Sequence, residues 1–136
     1  MKAPVLFLIF NRPQTTSHVF AAIRRARPER LYVAADGPRA SRDGEAERVA
    51  ETRRIANSVD WPCRVATLFR DENLVCKRAV SGAIDWFFEN EPEGIILEDD
   101  TVPIPSFFTY ADALLERYRD DDRIMMINGS NLISQH

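Results

Sequence analysis

The stretch PVLFLIF, Pro4 to Phe10, decides how the rest of the chain is read. Preceded by Lys2, it has the outline of a secretory leader: a cation, then an apolar run. The run is too short for that, lacks a small-x-small cleavage site, and meets Arg12 and Pro13 at once. Seven consecutive apolar positions closed by a polar turn fit instead a first β-strand covered on both faces, as in a parallel sheet.

Working outward, the same kind of run recurs. RLYVAAD (Arg30 to Asp36), CRVATLF (Cys63 to Phe69), GIILE (Gly94 to Glu98) and RIMMI (Arg123 to Ile127) all read as strands. Helical patterns lie between them. After Pro13, Val19, Phe20, Ile23 and Ala26 form a stripe that stops before Pro28. Asp43 to Asn57 is a charged helix with a thin apolar stripe at Ala46, Val49, Ala50 and Ala56. Val75 to Glu89 repeats apolar residues at Ala79, Val80, Ala83, Ile84, Phe87 and Phe88. Ser106 to Arg119 does so at Phe107, Phe108, Ala111, Leu114, Leu115 and Tyr118. The alternation predicts an α/β fold: a Rossmann-like, doubly wound, mainly parallel sheet with right-handed crossovers.

The chain has 136 residues, enough for one domain with its own core. Its formal net charge is -3 and 29% of its residues are charged. With no basic stripe along a face, nucleic acid is a poor partner. Arg24, Arg25, Arg27 and Arg30 fall at a helix end, where cations suit the dipole. No stretch is long and apolar enough to span a membrane. Cys63 and Cys76 have no metal or redox spacing and read as reduced thiols of a cytoplasmic protein. His18 and His136 form no metal pair, and no Ser-His-Asp set can be assembled.

In doubly wound sheets ligands bind beyond the carboxyl ends of the strands, where strand order reverses. The residues there are Asn11 and Arg12, Asp36 and Gly37, Arg70 to Asn73, Glu98 to Asp100, and Asn128 to Asn131. Every set is polar or charged, which core packing does not require. The first turn, NRPQTT, has no glycine, so neither a dinucleotide fingerprint nor a P-loop is present. That also counts against a metal-dependent nucleotidyltransferase, which needs a glycine-rich basic loop there. The acids of LEDD offer another way to hold phosphates. A divalent cation reverses their sign, and Mg²⁺ or Mn²⁺ favours carboxylates while leaving positions open for phosphate oxygens. If the strand stays extended, Glu98 and Asp100 share one side and Asp99 faces the other. On local evidence a metal site and a solvated, helix-capping loop are equally good readings.

FNRP after the first strand, AADGPR after the second, TLFRDENLVCK after the third and IILEDDTVPIPSFF around the fourth together resemble GT-A glycosyltransferases. More closely, they resemble the bacterial sugar-transferase group often labelled hemolytic-protein-like. The EDD strand with its PSFF helix is also similar to that of N-acetylglucosaminyltransferase I. The resemblance covers essentially the whole chain, and it rests on four motifs in order at strand ends. It implies the N-terminal, nucleotide-binding half of a GT-A fold: residues 1–136 as a donor domain truncated before the acceptor-binding half.

By position, the resemblance places Asn11 and Arg12 along the nucleotide pocket and Asp36 at the base or ribose. Lys77 or Arg78 would hold the diphosphate. Glu98, Asp99 and Asp100 would form the Mn²⁺ or Mg²⁺ site, with Asp100 the first candidate for direct ligand. Asn128, Gly129 and Asn131 would approach the donor sugar. The implied reaction is inverting transfer from a nucleotide-diphosphate sugar to a hydroxyl of a glycan or other acceptor, with no catalytic base assignable here. One departure is Val75 in NLVCK, where relatives commonly have glycine; a β-branched side chain disfavours a left-handed backbone. The alternatives are a non-catalytic module that binds a nucleotide sugar or a protein, and a nucleotidyltransferase. The Arg123 to Ile127 strand would expose an edge open to self-association.

Overall fold

All five residues of β1 (Val5–Ile9) are buried, which is what a continuous apolar run requires. The computed structural model describes residues 1–130 and shows why both faces are covered. After β1 come α1 (Pro13–Ala26), β2 (Arg30–Ala35), α2 (Glu45–Ala56), β3 (Arg64–Phe69), α3 (Cys76–Asn90), β4 (Ile95–Glu98) and α4 (Pro105–Tyr118). The four strands form one parallel sheet in the order β3-β2-β1-β4. In its register Phe7 lies between Val33 and Leu97. This is a Rossmann-like, doubly wound α/β fold, as the alternating pattern predicts.

Side-chain alternation along β1 divides the core in two. Val5, Phe7 and Ile9 join Val19, Phe20 and Ile23 of α1, Ala56 of α2 and Phe108 of α4 on one face. Leu6 and Leu8 pack with Ala34 and with Ala83 and Phe87 of α3 on the other. Pro13 and Pro105 stand at the starts of α1 and α4, where a missing N–H costs nothing. Arg27 closes α1 in the left-handed region (φ 52°), and Pro28 follows.

The sheet departs from the sequence expectation at one strand. Arg123 to Ile127 forms no strand. The chain turns after α4, held by ion pairing of Arg123 with Asp121, and residues 124–130 have no regular structure. Met125 is 98% exposed and Met126 85%. A short apolar run is compatible with a strand only where a neighbour accepts its backbone and covers its side chains, and here β4 stands at the sheet edge. The edge beyond the fourth strand is therefore that of β4 itself.

The stripe of α2 also differs. Its buried positions are Glu45, Val49, Thr52 and Ala56, and Ala46 and Ala50 face solvent. The helix is rotated so that one glutamate enters the interior, where a partner waits for it. Among the described residues no helix is long and apolar enough to cross a membrane.

Candidate functional site

The connections from β1 to β2 and from β2 to β3 step in one direction; the next returns across the sheet to place β4 beside β1. Strand order therefore reverses between β1 and β4, and a crevice opens there at the carboxyl ends. A cleft of about 490 Å³ occupies this position. Leu8, Ala34, Leu68, Val80 and Ala83 give it an apolar floor and wall, and Arg12, Asp36, Arg39, Arg70, Glu98 and Asp99 give it charge.

The strand ends at Glu98, and the chain turns through Asp99 and Asp100, with the Thr101 N–H donating to the Glu98 carbonyl at 3.5 Å. Glu98 and Asp100 are nonetheless exposed and Asp99 is buried, 4% exposed. Asp99 points to the start of α1. Its Oδ2 accepts the Phe10 N–H at 3.3 Å, and its Oδ1 lies 3.2 Å from Arg12 Nη2. Arg12 Nη1 also donates to Asp100 Oδ2 at 3.2 Å. One guanidinium thus bridges two of the three acids. Burial pushes the Asp99 carboxyl above its usual range, and the attraction of Arg12 and the Phe10 N–H oppose that shift.

Asp36 is buried and mainly holds backbone. Its Oδ1 accepts the N–H groups of Gly37 and Leu74, both at 2.9 Å. The Asn73 side chain donates to the Gly37 carbonyl at 2.9 Å. These bonds draw the loops after β2 and β3 together so closely that a Cβ on Gly37 would lie 2.5 Å from the Glu72 backbone. Asp36 still lines the cleft.

Asn11 donates from Nδ2 to Glu45 Oε1 at 2.9 Å. Glu45 is fully buried, and Arg39 grips it through Nε and Nη2, the shortest contact being 2.6 Å. The Arg39 N–H adds a bond of 2.7 Å. These bonds from Arg39, helped by Asn11 and set against burial, hold the Glu45 carboxyl down at about 2. Arg39 also lies over the Phe10 ring, 5.8 Å from its centre. Sequence reasoning gives neither Arg39 nor Glu45 a role. The only trace is a glutamate at helical spacing from Val49 and Ala56, and it becomes meaningful once its partner is seen.

The two residues expected on α3 to hold the diphosphate do not line the cleft. Lys77 and Arg78 are exposed, and it is Cys76, Ala79, Val80 and Ala83 that face the cleft. The backbone at Val75 is left-handed, φ 68° and ψ 144°, despite the β-branched side chain. Asn128 and Gly129 do not line the cleft: Asn128 accepts the Ser130 N–H, and Gly129 rests on the Phe107 ring of α4. Asn131 lies outside the described residues.

Among the described residues no three His, Cys, Asp or Glu side chains converge as a ready-made metal cage. Mg²⁺ and Mn²⁺ are commonly held by one or two carboxylates, with phosphate oxygens and water completing the shell. Glu98 and Asp100, exposed at the cleft end of β4, have the donor chemistry for such a site. Asp99 is buried and tied to Arg12 and the Phe10 N–H. Compared with known proteins, the chain matches no family model and no curated protein.

Proposed function

We propose that this chain binds a nucleotide-diphosphate sugar together with Mn²⁺ or Mg²⁺ and is the donor domain of a GT-A glycosyltransferase. The observation that carries the reading is the cleft at the reversal between β1 and β4, where three arginines meet the acids of β4 above an apolar floor. The floor of Leu8, Ala34 and Ala83 suits a base or ribose face. Arg12, Arg39 and Arg70 suit phosphates. Glu98 and Asp100 would hold the cation, which when bound stabilises charge on a leaving diphosphate. The sugar would pass to a glycan or other hydroxyl with inversion.

The bridge from Arg12 to Asp99 and Asp100 favours a second reading. A triplet in which a guanidinium already pairs two of the three acids serves a non-catalytic binding module as well. Both cysteines are free thiols, which supports a cytoplasmic setting. The edge position of β4 supports self-association.

The test is thermal unfolding with UDP, GDP, CDP and dTDP, with and without Mn²⁺, on wild type and Asp100→Ala. A ligand at ~100 times its dissociation constant stabilises by ~2.7 kcal/mol. A shift with one nucleotide, requiring metal and lost in the variant, upholds the donor site and names the base. A cooperative transition that no pair moves overturns it. Binding without sugar transfer to any hydroxyl acceptor selects the non-catalytic module.

A further inference from the structure

We infer that Arg70, seated against Gly82 of α3, is the cleft's metal-independent phosphate contact. This rests on the reading of the cleft as a diphosphate site, and it names the residue that takes the anion.

Three arginines line the cleft, and two are already engaged. Arg12 is shared between Asp99 and Asp100, and Arg39 is held by Glu45. Arg70 makes no ion pair among the described residues. Its sequence neighbours Asp71 and Glu72 are exposed and do not pair with it. A cation that faces an apolar-floored cleft and has no carboxylate paired to it is the group whose electrostatics an incoming anion improves most.

The backbone of Arg70 is fixed on both sides. Its N–H donates to the Ala35 carbonyl at 3.0 Å, and its carbonyl accepts from Arg53 Nη2 at 2.6 Å. Arg53 donates to the Asp36 carbonyl as well, at 3.1 Å, and lies over the Phe69 ring. One arginine is thus spent on clamping the ends of β2 and β3, leaving the side chain of Arg70 free for the cleft.

The guanidinium also has a seat. A Cβ on Gly82 would lie 3.0 Å from Arg70 Nη2. Glycine inside a helix costs roughly 0.5–1 kcal/mol relative to alanine, and here the missing side chain leaves the room that the guanidinium occupies. A planar fork lying there has the shape to meet the oxygens of a phosphate. The exposed Lys77 and Arg78 have no such seat and do not line the cleft.

The experiment titrates inorganic pyrophosphate in EDTA, and the four nucleoside diphosphates with Mn²⁺, into wild type, Arg70→Gln, Gly82→Leu and Lys2→Gln. Wild type is expected to bind pyrophosphate without metal, and Arg70→Gln to weaken it by about tenfold, the loss of one charge-assisted contact. Gly82→Leu should weaken it too while melting no lower, because leucine favours the helix and fills the seat. Lys2→Gln, at the opposite end of the sheet, removes one positive charge and controls for net charge. Pyrophosphate binding lost in Arg70→Gln, with no nucleotide preferred, would uphold this inference and overturn the nucleotide reading. Nucleotide binding that Arg70→Gln leaves intact would do the reverse. A wild type that binds neither ligand overturns both.

Discussion

The guanidinium of Arg12 stands 3.2 Å from the buried carboxylate of Asp99, and its other nitrogen reaches Asp100 at the same distance. The turn after β1 thereby supplies a positive charge to the acids that end β4, and a divalent cation at Asp100 would have to compete with it. Arg12→Gln is expected to lower stability by about 1 kcal/mol, because water reaches the half-exposed side of the pair and replaces part of what is lost. The same change should strengthen binding of Mn²⁺ alone and weaken the help that a nucleoside diphosphate gives it. Titration calorimetry with metal, with and without nucleotide, reads both effects. Equal metal affinity in the two proteins would mean that Arg12 and the cation do not share a site.

Glu45 carries the clearest pH dependence. Its carboxyl is lowered from 4.5 to about 2 by Arg39, with further help from Asn11. A depressed carboxylate adds stability that is complete above its unfolded value and disappears as pH falls through the folded one. The contribution is therefore expected to be whole above about pH 5 and to be lost between roughly 4.5 and 2. Glu45→Gln should be less stable than wild type at pH 7, and the gap should narrow across that window. Chemical denaturation at stepped pH measures it. A gap that stays constant down to pH 2 would place the role of Glu45 in packing and not in its charge.

The layering of this fold is legible in the sequence because burial on both faces forces unbroken apolar runs, and β1 is the plainest case. Strand ends are legible for the same reason: Asn11, Asp36, Arg70 and Glu98 mark where the apolar code stops. The expected alternation of Glu98, Asp99 and Asp100 is matched in burial, but it is reached in a turn beyond β4 and not in an extended strand. Partnerships are not legible. Nothing local says that Arg12 crosses to Asp99, that Asp36 binds loop backbone, or that Glu45 turns inward to Arg39. The Arg12–Asp99 and Asp36–Leu74 contacts join elements distant in the chain, and the Arg39–Glu45 pair, though close in sequence, depends on the rotation of α2. The RIMMI segment misleads for a related reason: its composition is that of a buried strand, and among the described residues no strand pairs with it and Met125 and Met126 stay exposed.

Val75 holds φ 68° and ψ 144° immediately before α3, with its side chain 67% exposed. A β-branched residue in that region carries strain of about 1–3 kcal/mol. Little packing is lost on removing an exposed side chain, and glycine gives back part of the gain through unfolded-state entropy. Val75→Gly is therefore expected to stabilise by about 1 kcal/mol, which raises the melting temperature by about 4 °C in a chain of this size. Val75→Ala should gain less, since alanine still has a Cβ. Calorimetry of both variants decides this; a Val75→Gly protein that melts lower would show that the valine side chain stabilises the loop by more than its backbone strain costs.

Met125 and Met126 distinguish a four-stranded sheet from a five-stranded one. Their side chains face solvent at 98% and 85% exposure, in a segment without regular structure. Exposed substitutions of this kind change stability by no more than about 0.5 kcal/mol. The double variant Met125→Lys, Met126→Lys should thus melt within about 2 °C of wild type. If the segment were paired to the open edge of β4 in solution, one of the two would point into a covered face, and a lysine there would cost several times as much. Any self-association through this exposed apolar segment should weaken in the double variant, because charges replace its apolar surface. Sedimentation across a range of concentrations, beside the melting curve, separates the cases. An unchanged melt with less association fits a solvent-facing segment beside an open edge, and a large drop in the melt would restore the fifth strand.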